Sequence, residues 1–203
     1  MPGTGPMRQR IADRARIALE KLSQVPGAPI DLQIETANAY ARVGAILAAE
    51  DLRDVMDPAN GDAVLARAER SLRALIAKMP DRSDLRLSLA QTLYARALVA
   101  GEAKIDQART FKVLDEIEAL LGLVLKNEPG NFRARLLGVH ARLLRADSHS
   151  TEAQYAQTIA LCKAALADLG TMAGHTSREK ADIALARAQA LSLIHISEPT
   201  RPY

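Results

Sequence analysis

The chain has 203 residues, of which 48% are hydrophobic, 25% charged and 3% aromatic, with a formal net charge of +3. This composition excludes a disordered chain, the single cysteine excludes a disulfide framework and a thiolate metal site, and no apolar run reaches the roughly 18 residues of a membrane-spanning helix. The 38 Ala and 28 Leu residues are strong helix formers, so we predict an all-α fold.

Apolar residues recur about every 3.6 positions and predict about eight helices. In the first helix Ile11, Leu19 and Leu22 fall on one stripe. We expect Asp31 to be the N-cap of the second helix and residues 57–61 to form a polar turn before the third. In chain order the predicted helices cover about 7–22, 31–47, 62–79, 83–101, 104–126, 132–145 and 151–169, and the eighth begins near 177. Its opening residues, Thr176 to Lys180, supply a hydroxyl and an acidic residue suited to capping.

The last thirteen residues, LSLIHISEPTRPY, differ in character from everything before them. The first eleven of them resemble the translation of a transposon-end sequencing adapter. We therefore expect 191–203 to be a non-native tail and the helical texture to stop at Ala190. Residues 1–190 are then a single helical-repeat domain, truncated at its C-terminal end, with the N-terminal end as a second candidate for truncation. Without the tail the net charge is still +3, because one Arg and one Glu are removed together.

The predicted helices form hairpins separated by proline-containing turns. Pro80 and Pro129 are 49 residues apart, and LIAKMPDRSDLRLSLA around the first resembles LVLKNEPGNFRARLLG around the second. Such self-similarity is typical of helical repeats, in which each hairpin needs a neighbour to bury its apolar face. A closed globular bundle is the alternative. Close helix approach is expected at small residues, namely Ala37, Ala41, Ala68, Ala90 and Gly138.

These hairpins resemble tetratricopeptide repeats, which implies stacked antiparallel hairpins in an α-solenoid. The first helix of a repeat is matched by Ala37, Tyr40 and Gly44, the second by Ala68, Leu72 and Pro80, and the next unit by Leu89, Ala90 and Pro129. Leu93 replaces the family's tyrosine in that next unit. The period of 49 also exceeds the family's period of about 34 residues, so any groove differs from that of the standard superhelix.

A narrower resemblance covers Pro2 to about Lys78. This stretch is similar to the segment that follows the kinase domain in some bacterial eukaryotic-like serine/threonine kinases. The resemblance implies a regulatory or sensing tail, on the extracytoplasmic side of a membrane helix that this chain lacks. Otherwise a cytoplasmic location is expected. The alternatives are a fragment of such a kinase without its catalytic domain, and the effector region of a transcriptional regulator.

Within the chain itself no catalytic motif is found. A kinase needs a Gly-rich loop, a strand lysine and HRD-type and DFG-type motifs, and none is present. Cys162 is expected to be a buried, inert thiol, and no histidine pair has zinc-ligand spacing. Asp115 and Glu118 are expected on a solvated helix face. We therefore predict a chain that is not an enzyme and needs no cofactor or metal.

What remains is a surface for a partner. In tetratricopeptide-like arrays the first helix of each hairpin lines a concave groove, where polar side chains hold a peptide or protein partner; the alternative is that each is an ordinary exposed residue. Few aromatics and dispersed charge argue against nucleic acid. The apolar end face of a truncated array also suggests self-association through the C-terminal end. Transferred by position, the candidate partner-binding residues are Asn38, Arg42, Gln91, Arg135, His140 and Arg142.

Overall fold

The computed structural model describes residues 5–48, 58–102, 107–149 and 154–197. Within these ranges the chain is all-helical, without strands, and the all-α prediction is confirmed. None of the helices in these ranges is both long and apolar enough to cross a membrane. The helices are α1 (Gly5–Ser23), α2 (Ile30–Ala48), α3 (Pro58–Lys78), α4 (Ser83–Glu102), α5 (Gln107–Asn127), α6 (Phe132–Asp147), α7 (Tyr155–Gly170) and α8 (Ser177–Ser197).

The helices divide into two compact units, Met1–Ile105 and Asp106–Tyr203. Within each unit consecutive helices pack together, and the second helix also contacts the fourth. The two units therefore share one contact scheme. In addition α5 begins 49 residues after α3, at 107 against 58, and α6 begins 49 after α4, at 132 against 83. A fold of helical hairpins is supported, whereas their stacking into one solenoid domain stays a prediction.

The core of the first unit is built around α2. Tyr40 and Leu47 are buried against Leu19 of α1 and Ala68 of α3. Gly44 allows α2 and α3 to approach closely, since a Cβ at that position would lie 2.7 Å from Cγ of Leu65. Of the small residues expected at close helix approaches, Ala37 and Ala68 are fully buried in this unit.

The core of the second unit joins α6, α7 and α8. Its buried residues include Leu143 on α6, Leu169 on α7 and Ala186 on α8. Asn131 caps α6, because its side-chain oxygen accepts a hydrogen bond from the backbone N–H of Ala134 at 3.0 Å. The opening of α8 is capped as the sequence predicts.

The predicted turn at 57–61 is wrong for its described part, because α3 already begins at Pro58. Proline is well suited to the first helical position, where no N–H is needed. Residue 57 lies outside the described residues, as do 104–106 and 151–153, where the fifth and seventh helices were expected to begin. Asp31 is not the N-cap of α2 but lies in its first turn, since the N–H of Gln33 already donates to the carbonyl of Pro29.

Two further expectations differ from the structure. Of the stripe on α1, Leu19 is buried while Ile11 and Leu22 are exposed. Helix α8 does not end at Ala190 but continues to Ser197. Leu193 and Ile194 pack against the second core, because they fall on the same helix face as the buried residues one and two turns earlier.

Candidate functional site

The predicted binding residues of the first unit lie on α2 and α4, which contact each other. Arg42 and Gln91 are exposed, whereas Asn38 is half-buried. The Oδ1 atom of Asn38 is buried and has no hydrogen-bond partner among the described residues. Asn38 and Arg42 are four residues apart on α2 and so occupy neighbouring positions on one helix face. This face offers an unused acceptor beside an exposed cation.

In the second unit Arg135 and Arg142 are engaged by the end of α7. The guanidinium group of Arg135 donates to the hydroxyl of Thr171 at 2.5 Å, and that of Arg142 forms an ion pair with Asp168. The i,i+7 spacing does place both arginines on one face of α6, as the sequence indicates. Their position beside the C-terminus of α7 also complements the negative end of its helix dipole. Both arginines therefore hold α6 to α7.

His140 is half-buried on the same helix, which packs against α8. Burial lowers the pKa of its imidazole, and the negative charge of Asp182 on α8 acts in the opposite direction. His140 is thus associated with α8, whereas the two arginines are associated with α7. The three candidates on α6 do not share one open surface.

The structure also shows the surroundings of the other residues considered in the sequence analysis. Cys162 is fully buried, and burial raises the pKa of its thiol, in agreement with an inert core thiol. The carboxylates of Asp115 and Glu118 are exposed and lie 2.6 Å and 3.6 Å from the guanidinium of Arg145. In the described ranges no group of three or more His, Cys, Asp or Glu side chains is arranged to hold a metal ion.

Sequence reasoning missed the outward face of α1. Arg10, Arg14 and Lys21 are all exposed there, as are Ile17 and Leu22. The signal was available, because positions 10, 14, 17 and 21 recur at helical spacing. It was missed because the net charge of the whole chain does not reveal a cluster of cations on one helix face.

Two acidic residues of α1, Asp13 and Glu20, border this face, and Glu20 is turned away from it. Glu20 accepts a hydrogen bond from the guanidinium of Arg67 on α3 at 2.7 Å, and Arg16 lies 3.6 Å away. The hydrogen bond and charge of Arg67 lower the pKa of Glu20. The outward cations of α1 are therefore not offset by this carboxylate.

A groove of about 320 Å³ lies beside the end of α1. It is half-open and carries aliphatic and hydroxyl side chains together with one charged residue, Lys78, which is exposed in the last turn of α3. The hydroxyl of Thr36 donates to the carbonyl of Leu32 at 2.7 Å, so its proton is already used. The lining residues are Leu22, Ser23, Val25, Gly27, Ala28, Leu32, Gln33, Thr36, Ser71, Ala74, Leu75 and Lys78.

Comparison of the chain with protein-family models, curated proteins and solved structures finds no match. The tetratricopeptide resemblance and the narrower resemblance to a kinase tail stay predictions. The structure therefore defines this protein only as an all-helical chain of hairpins, whose first unit has polar and aliphatic surfaces.

Proposed function

We propose that the chain is a non-catalytic helical-hairpin module that binds a protein or peptide partner. The observation that carries the proposal is the buried, unpartnered Oδ1 of Asn38, at a position that the sequence resemblance had assigned to a binding groove. The resemblance to a kinase tail supports a regulatory or sensing role within a larger signalling protein.

The energetics favour an external hydrogen-bond donor at Asn38. Burying an amide oxygen without a hydrogen bond costs about 1–3 kcal/mol. That cost is recovered when the half-buried Asn38 side chain turns its oxygen outward and accepts a hydrogen bond from a ligand N–H. The backbone of an extended peptide supplies such N–H groups at regular intervals. Arg42, exposed one turn along α2, is suited to a carboxylate of the same peptide, and the amide of Gln91 on α4 offers both a donor and an acceptor.

The test is a selection of binders from a random peptide library displayed on phage, with the full chain as bait. Enriched peptides are synthesised, and their dissociation constants are measured for the wild type and for Asn38→Ala, Arg42→Ala and Gln91→Ala. We expect a loss of roughly tenfold for Asn38→Ala, equivalent to about 1.4 kcal/mol. Matched controls are Gln157→Ala and Arg178→Ala, exposed residues of the second unit, which should leave affinity unchanged.

A selection that yields no saturable binder refutes the proposed function. Binders that tolerate all three substitutions on α2 and α4 refute this assignment of the site and leave the module's peptide-binding function standing.

A further inference from the structure

The outward face of α1, which we call the α1 surface, consists of Arg10, Arg14, Ile17, Lys21 and Leu22. At about 100° per residue the three cations and Ile17 fall on the half of the helix opposite the buried Leu19. Leu22 is exposed as well but lies about 60° from Leu19, at the edge of this surface. Three cations thus lie between exposed aliphatic side chains. Such a combination provides both charge and apolar area to a partner.

Exposed aliphatic side chains are frequent in α1 and in the segment that follows it. Among the described residues eleven large hydrophobic side chains are exposed, and five of them lie between positions 11 and 30. Scattered exposed hydrophobics are ordinary, whereas a group of them rimmed by polar residues marks an interaction site. The five are Ile11, Ile17, Leu22, Val25 and Ile30.

The groove beside the end of α1 continues this surface. Leu22 belongs to both, and Val25 and Leu75 add further aliphatic lining. Its volume of about 320 Å³ is at the lower end of the range for ligand pockets, so it suits side chains of a partner. Lys78 is the one charged side chain among its lining residues, which favours an acidic occupant.

Resting on the proposed function as a protein-binding module, we propose that the α1 surface and this groove bind an acidic amphipathic segment of a partner protein. Its carboxylates pair with Arg10, Arg14 and Lys21, while an apolar side chain enters the groove. Charge complementarity of this kind steers association and fixes register. Its residues do not include Asn38, Arg42 or Gln91, on which the proposed function rests.

Two other anionic occupants fit the structure less well. Single-stranded nucleic acid needs aromatic side chains on which bases stack, and α1 has none. Membrane-surface binding is favoured by interfacial Trp and Tyr, which α1 also lacks, and a flat bilayer does not fill a groove. An acidic protein segment uses both the cations and the concavity.

The contribution of the three cations of the α1 surface is tested with the same phage-displayed library and the full chain. Peptides selected on the wild type should include a class rich in Glu, Asp and aliphatic residues, whose affinity falls with added salt. The triple variant R10E/R14E/K21E should weaken this class at least about tenfold. The matched control R109E/K112E/K126E reverses three exposed cations on α5 and should leave the affinity unchanged.

The groove is tested by filling it. Ala74→Phe places a ring into the groove and should weaken the acidic class about tenfold, whereas Ala164→Phe, at an exposed alanine of α7, should not. Lys78→Gln should weaken binding relative to Lys126→Gln, which removes the same charge from the last turn of α5. Far-UV circular dichroism of each variant verifies that it is folded.

The outcomes separate this inference from the proposed function. Peptides that require Asn38 but tolerate R10E/R14E/K21E overturn the inference and leave the proposed function intact. The inference is also overturned if no acidic peptide binds while vesicles of phosphatidylcholine and phosphatidylserine, or a short DNA duplex, bind through the three cations. Loss of acidic-peptide binding in both R10E/R14E/K21E and Ala74→Phe, with unchanged controls, supports it.

Discussion

Gly44 of α2 is the point at which the packing of the first unit is most sensitive to one added methyl group. A Cβ at this position would lie 2.7 Å from Cγ and 2.9 Å from Cδ2 of Leu65, and 3.0 Å from the backbone N of the same residue. Leu65 is fully buried, so its side chain has no open space to enter. The backbone contact can be relieved only by moving α3 away from α2.

The expected cost of Gly44→Ala follows from two opposing effects. Overpacking of a well-packed core costs about 1–3 kcal/mol, and a contact that includes backbone belongs in the upper half of that range. The better helix propensity of alanine offsets about 1 kcal/mol. We therefore expect a net loss of about 1–2 kcal/mol in the free energy of unfolding.

Gly122 provides the matched control within the same chain. It lies inside α5, and no heavy atom comes within 4 Å of a Cβ built there. Gly122→Ala should therefore stabilise the protein by about 0.5–1 kcal/mol. Gly138→Ala should also be tolerated, because its Cβ would meet only Cδ1 of Leu121 at 3.8 Å. The expectation that Gly138 serves a close helix approach is not supported by this geometry.

The assay is urea unfolding followed by far-UV circular dichroism, with the free energy of unfolding extrapolated to water. A second measurement places Gly44→Ala in a Leu65→Ala background, where the added methyl group should cost less because the crowding side-chain atoms are gone. The reasoning is refuted if Gly44→Ala is as stable as the wild type, or if Gly44→Ala and Gly122→Ala shift stability in the same direction.

Three further predictions follow from other contacts. Asn131→Ala removes the side-chain cap of α6 and should cost about 1 kcal/mol in urea unfolding. Hydrogen bonds from the backbone N–H groups of residues 176 and 175 lower the pKa of Glu179. The stability that this interaction contributes is therefore present above the unfolded pKa of about 4.3 and is lost as the pH falls through the lower folded pKa. An NMR titration of the Glu179 carboxylate should show a midpoint below that of a model peptide. Burial raises the pKa of Tyr94 to about 12, so Tyr94→Phe should remove the component of the tyrosine absorbance titration that appears at the highest pH.

Much of the fold could be predicted because its signals are local. Apolar periodicity located eight helices, and the prolines and glycines located most of their ends. The capping of α8 was visible as a Thr followed three residues later by a Glu, and the structure shows that reciprocal pair: the N–H of Glu179 donates to the hydroxyl of Thr176 at 3.1 Å, and the N–H of Thr176 donates to the Glu179 carboxylate at 3.0 Å. The start of α3 was missed because Pro58 is as compatible with the first turn of a helix as with a loop.

The candidate site could be predicted only in part because its determinants are non-local. Arg142 is paired with Asp168, 26 residues away, and no local pattern indicates that its charge is already used. The same applies to Arg67 and Glu20, separated by 47 residues. The sequence identifies polar residues at positions suited to a binding surface. Only the packing of the helices determines which of these side chains are already paired within the fold.

The shared contact scheme of the two units makes their differences informative. The second helix of each unit contacts its third and fourth helices, yet α2 presents Arg42 to solvent beside the unpartnered oxygen of Asn38, whereas the arginines of α6 are bound to the end of α7. Polar groups already satisfied within a unit gain little from a ligand, since binding only exchanges one partner for another. The first unit also contains the exposed cations of α1 and the adjoining groove. We infer that partner binding is concentrated in the first unit and that the corresponding polar residues of the second unit stabilise its fold.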